Sequence, residues 1–216
     1  MIKILFSLAF LVFVSVANSF PIFEGTGERE DWLGTYFKGK KMGFTKSKTR
    51  WGPEGVVIDS MVFFKISSES ADQSTTIKQT TRLGSDFRLS SFSLIQEIAG
   101  HRQQVNGRLE DNLLRYRIKS LGYDKEKTLN FTNKTAPSST FLINLASRGL
   151  KVGQQGKLKL FMEPLQMLVD LEYKVLREEK FQYLENFIDT FVIFQQFSGI
   201  ESTLWVAKDG TVYREI

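Results

Sequence analysis

The stretch that decides the fold is FRLSSFSLIQEI, residues 87 to 98. Read at a period of two, Phe87, Leu89, Ser91, Ser93, Ile95 and Glu97 share one face, and Arg88, Ser90, Phe92, Leu94, Gln96 and Ile98 share the other. Both faces carry apolar side chains. A sandwich strand with one wet face does not require this, whereas a sheet wrapped round an apolar interior and partly covered outside does.

The same alternation, rich in Val, Ile, Phe, Thr and Tyr, runs outward from this segment to Trp32 on one side and Ile216 on the other. It predicts strands near 32–37, 43–50, 55–66, 73–82, 86–98, 101–109, 112–119, 123–131, 157–163, 166–178, 187–195, 201–207 and 211–215. Between them, LGSDF (83–87), IAGHR (98–102), LEDNL (109–113) and AKDGTV (207–212) supply residues that tolerate positive φ. Links this short make successive strands antiparallel neighbours. The expected fold is mainly β, a long antiparallel meander forming a curved sheet or half-barrel.

One segment departs from the alternation. In SSTFLINLASRGLKVGQQG (138–156) the apolar Phe141, Leu142, Leu145 and Ala146 recur at helical spacing, Ser138 or Ser139 can cap, and Gly149 follows Arg148. We expect one short amphipathic helix near 139–148 covering the open side of the sheet. The preceding Ala136-Pro137-Ser138 marks a seam between two blocks of strands.

The chain opens with Lys3, an apolar run from Ile4 to Val16, and Ala17-Asn18-Ser19. That is the layout of a cleaved secretory signal, and the run is shorter than the roughly 20 residues that span a bilayer as a helix. The expectation is a signal peptide at 1–19, a single all-β domain at 20–216 and export to the periplasm. The alternative is an inner-membrane anchor formed by an uncleaved signal. The formal charge of +5 is diffuse, densest at Lys38, Lys40, Lys41, Lys46, Lys48 and Arg50. A nucleic-acid partner, which calls for charge gathered on one face, is not expected. Anionic lipid headgroups or acidic wall polymers suit a mild positive charge better.

Chemistry is sparse. With no Cys there is no thiol nucleophile or thiolate metal site, and His101, in a turn, is the only imidazole. No G-x-S-x-G, phosphate loop or calcium loop is present. No catalytic residue, metal or cofactor is therefore expected. A hydrolase or transferase would have to centre on His101. What remains is apolar: 19 Phe and 3 Trp. Trp32, Phe63, Phe92, Leu94, Phe141, Leu145, Phe191 and Trp205 are the candidate lining of an apolar cavity between sheet and helix.

Two further stretches carry a resemblance. EDWLGTYFKGKKMGFTKSKT, through Trp32, Gly34, Tyr36, Gly39, Lys41, Gly43 and Phe44, resembles the exported N-terminal all-β domain found ahead of bacterial transglutaminase-like cores. The closing ESTLWVAKDGTVYREI looks like the final hairpin of such domains, through Thr203, Leu204, Trp205, Asp209, Gly210 and Val212. The fold also resembles the LolA-like lipoprotein-carrier half-barrels, in which a curved sheet closed by helices shelters acyl chains. In enzymatic relatives a Cys-His-Asp core follows the hairpin; this sequence stops at Ile216, so no catalytic residue carries over. The resulting expectation is a non-enzymatic periplasmic or envelope module that binds a lipid, a lipoprotein acyl chain or an envelope protein partner. The alternative is a structural or interaction protein with a filled core. Trp32 and Trp205 are expected to anchor the two ends of one curved sheet.

Overall fold

A computed structural model describes residues 25–37, 39–67 and 72–216. The signal expected at 1–19 and Lys38 lie outside these residues. Eight strands follow one another as antiparallel neighbours: β1 (Gly27–Phe37), β2 (Lys40–Gly52), β3 (Gly55–Ser67), β4 (Asp72–Leu83), β5 (Leu89–Ile98), β6 (His101–Glu110), β7 (Leu113–Ser120) and β8 (Tyr123–Asn130). A short β9 (Thr135–Pro137), a 3-10 turn (Ser138–Thr140) and a helix α1 (Phe141–Ala146) lead to the second sheet. That sheet comprises β10 (Gln155–Met162), β11 (Met167–Tyr183), β12 (Asn186–Phe197), β13 (Ile200–Ala207) and β14 (Val212–Glu215), ordered β14-β13-β12-β11-β10-β9.

The expected meander is present, broken at the expected seam into two sheets. Every pairing is antiparallel except β9 with β10, which run parallel. The intervening segment, with the 3-10 turn and α1, is long enough for the crossover a parallel pair demands. A three-residue strand has no periodicity to read, so β9 is absent from the sequence expectation. Phe87 and Arg88 are not in β5, and its pairing with β4 shifts between Arg82 and Leu83. Leu83 opposes Leu89 and Arg82 opposes Ser91, so the bulge lets both Leu89 and Phe92 turn inward.

The inner face of the first sheet packs Val62, Phe64, Ile77, Phe92, Leu94, Val105, Leu114 and Ile118 around Phe161 of β10. The second sheet lays Leu160, Leu171, Val175, Phe191, Ile193, Leu204 and Val206 under Phe141, Leu142 and Leu145. Ile143, on the opposite side of the helix, packs on Val56, Ile58 and Leu83 of the first sheet. The helix is thus apolar nearly all round and sits between the sheets as a plug. It is shorter than the expected 139–148, and no serine side chain caps it. Ser138 and Ser139 instead donate from Oγ to the fully buried Glu163 at 2.6 Å each, and Gln79 Nε2 of β4 donates to the same carboxylate at 2.9 Å. This joins the first sheet, the 3-10 turn and the β10–β11 turn through one acid.

The chain ends meet as well. Arg29 of β1 donates to Asp209, in the turn before β14, at 2.8 Å, with both side chains nearly buried. Burial pulls the Arg29 guanidinium below its usual range while Asp209 and Asp31 pull it back. The same turn lies against α1: Gly210 has φ of +88° and its absent Cβ would stand 3.1 Å from the Leu142 carbonyl. Trp32 and Trp205 therefore do not anchor one curved sheet. They belong to different sheets, and the ends are joined by the ion pair beside Trp32's neighbour Asp31.

Candidate functional site

The two sheets part where the first ends at β8 and the second at β9. The side chains of β8 are exposed except for the half-buried Leu129, and no strand pairs with its outer edge among the described residues. Because β9 has only three residues, it leaves the N-terminal half of β10 uncovered. A cleft of about 960 Å³ opens between them, lined by Leu113, Leu129, Leu158, Leu168 and Leu171. Its polar lining comes from Thr128, Asn130, Thr132, Lys134, Thr135 and two cross-strand ion pairs. These pairs are Lys157 with Glu172 and, at 2.7 Å, Lys159 with Asp170. They are exposed and contribute little stability. Their consequence is a charged border on a leucine-rich trough.

A second cavity of about 490 Å³ lies under α1 and shares Thr132, Lys134, Thr135 and Leu158 with the first. Phe87, Leu89, Phe131, Phe141, Leu145 and Tyr173 are its apolar walls. Phe141 meets Tyr173 edge-on with ring centroids 5.7 Å apart. Arg88 and Arg148 also line it, and Arg88 is held by its donation to Asn112 Oδ1 at 2.8 Å. The two spaces adjoin through these shared residues, and the walls of this recess mix leucine and aromatic side chains with polar and charged ones, a lining that can take a hydrocarbon chain and offer charge to its head.

Of the eight residues expected to line one cavity, Phe141 and Leu145 do line this recess. Phe92 and Leu94 are buried in the core of the first sheet, and Phe191 in that of the second. Phe63 stacks on Phe44 at 5.8 Å and Phe44 on Trp32 at 5.3 Å, and Trp32 is 58% exposed. Trp205 donates from Nε1 to Glu179 at 3.0 Å and carries Arg214 over its ring at 5.1 Å. The eight therefore do not converge. The leucines of the cleft escape a search weighted toward aromatics; the signal that marks them is the Ala136-Pro137-Ser138 seam.

No cluster of three or more His, Cys, Asp or Glu suited to a metal occurs among the described residues. His101 is exposed at the start of β6. Besides the buried Asp31 and Asp209, two carboxylates are held inside the sheets, the fully buried Glu163 and the half-buried Glu215. Glu163 is held as above, and Glu215 of β14 faces Gln195 and Ser202 inside the second sheet, where burial pushes it up to about 7. Tyr213 is pushed up to about 12, first by burial and then by Asp209 and Asp31.

No protein-family profile matches the chain, and no curated protein matches its sequence. Among solved structures, a β-barrel-like protein of the domain of unknown function DUF1849 from Brucella abortus is similar at a TM-score of 0.63 and 11% identity. The match covers 90% of this chain and 91% of that one. A DUF1089 family protein from Pseudomonas aeruginosa is more loosely similar, at a TM-score of 0.48 and 12% identity over 93% of this chain and 95% of that one. At 11% identity the first likeness shows the fold alone, and that fold is β-barrel-like. No helix among the described residues is long and apolar enough to cross a membrane.

Proposed function

We propose that this chain is a non-enzymatic, exported envelope module that holds the acyl chain of a lipid or lipoprotein in the recess between β8, β10 and α1. The observation that carries the reading is the leucine-lined cleft of about 960 Å³ continuing beneath the helix. The N-terminal apolar run supports export to the periplasm, with an uncleaved anchor as the alternative. The half-barrel likeness to LolA-like carriers and the likeness of the chain ends to transglutaminase-associated domains support an envelope protein as the partner in handover.

The test is titration with a fluorescent fatty acid, beside native mass spectrometry of the purified protein for retained lipid. Leu129→Arg places a cation on the exposed wall of the cleft and is expected to reduce uptake by about tenfold or more, because burying a charge in an apolar recess is costly. Its melting temperature is expected to stay near that of the parent, since Leu129 is only half-buried. Absence of both uptake and retained lipid would overturn the reading. The filled-core structural module would then stand, supported by the closure of both cores around Phe161 and α1.

A further inference from the structure

The outer face of β1 to β4 carries a second, independent feature. Aromatic side chains belong inside a sheet unless something else covers them, yet Trp32 and Tyr36 are 58% and 60% exposed. Trp32, Phe44 and Phe63 form a ladder across three adjacent strands on this outward face. Lys46 sits over the Trp32 ring at 5.0 Å, and Lys46 and Lys48 are joined to Glu30 and Glu28 at 3.0 and 2.9 Å. Lys40 and Lys41 at the hairpin end, with Lys78 and Arg82 on β4, have no acidic partner among the described residues. Next to the ladder, a trough of about 400 Å³ includes Met61 and Ile95 in its lining together with Lys46, Lys48 and Lys78, set against Glu30 and Asp59.

We propose that this face docks on an anionic lipid bilayer. Charge complementarity selects that occupant: cations outnumber acids around an apolar centre. Trp and Tyr rings settle at the level of lipid headgroups, and lysines around them gain from a negative surface. The trough on this surface shares no lining residue with the recess, so docking does not depend on the recess being filled.

The experiment is co-sedimentation of the full chain, produced through a secretory pathway, with vesicles of phosphatidylcholine alone or containing about a quarter phosphatidylglycerol. Binding is expected only to the anionic vesicles, with a blue shift in tryptophan emission, and is expected to fall away in roughly 0.5 M salt. Trp205 is nearly buried and Trp51 half-buried, so the shift reports chiefly on Trp32. Lys40→Glu with Lys41→Glu is expected to weaken partitioning by about tenfold or more, and Trp32→Ala to remove the blue shift. Both changes lie at exposed positions, and far-UV circular dichroism checks that the fold persists. Equal binding to both vesicle types, no binding to either, or anionic binding that both variants leave unchanged would overturn the proposal. Leu129→Arg separates this surface from the recess, because it is expected to leave anionic-vesicle binding intact.

Discussion

At Glu215 the register shift between β13 and β14 overrides the two-residue period set by buried Val212 and turns a half-buried carboxylate to the same face as its strand partner Leu204. Gln195 Nε2 donates to Ser202 Oγ at 2.9 Å and lies 3.4 Å from Glu215 Oε1, while Gln195 Oε1 is buried without a hydrogen-bond partner. Hydrogen bonds from Ser202 and Gln195 favour the charged carboxylate, but the loss of water outweighs them. Burial holds its pKa at about 7 against an ordinary 4.5. Below 4.5 the folded and unfolded chains both keep the proton. Between 4.5 and 7 the unfolded chain releases it and the fold does not, so stability falls as pH rises through that window, by at most ~3 kcal/mol. Above 7 the loss is complete. Glu215→Gln is expected to match the parent's melting temperature near pH 4 and exceed it at pH 8; equal melting at both would refute this account.

Single residues also show what the sequence discloses and what it withholds. Gly43 is one, a glycine inside a strand where an added Cβ would lie 2.0 Å from the Phe63 carbonyl oxygen. Alternation tells that Trp32 and Phe44 lie on opposite faces from Asp31 and Thr45, but it does not tell which face is inside. Here Asp31 and Thr45 are the buried ones. A polar inner face on β1 and β2 defeats the rule that apolar residues point inward.

Among the elements, strands that bury one face were legible because each carries its own period. The far half of β11 was not. Past the register shift between Val175 and Arg177, its arm with β12 runs to Tyr183, and most of its side chains there are exposed. With neither face buried, alternation stops and the strand is read as ending near 178. The recess escaped for a different reason: β7, β8, β10 and β11 each add one or two leucines, and only the topology gathers them. The helix was legible in place but not in its tether. Glu163 accepts from Gln79, from both the amide and the hydroxyl of Ser138, and from Ser139; Glu163→Ala leaves Gln79 and Ser139 with Thr81 but strands the two buried Ser138 donors, and is expected to cost ~2 kcal/mol or more in urea unfolding. Glu163→Gln, which keeps an acceptor, is expected to lose less. An alanine variant as stable as the parent would show the network to be idle.

Over the whole molecule, Phe161 lies in the core of the first sheet although its strand belongs to the second, and α1 touches both. Heat unfolding is therefore expected to be a single cooperative transition, with circular dichroism and tryptophan emission coinciding. Asp209→Ala, which leaves Arg29 nearly buried without its 2.8 Å partner, is expected to lower stability by about 2–4 kcal/mol without splitting that transition. Two separated transitions in the parent would refute the shared core.

The Arg29 to Asp209 contact joins positions 180 residues apart, and this gives the fold a timetable. A chain delivered N-terminus first can zip β1 through β8 as they emerge, since each needs only the strand before it. The buried charge on β1 has to wait for the β13–β14 turn. Until that turn arrives, Arg29 and Asp31 lie on an inner face still open to water. Completion is thus a single late event, and in pulse-labelling hydrogen exchange β1 is expected to gain full protection only together with residues 207–212.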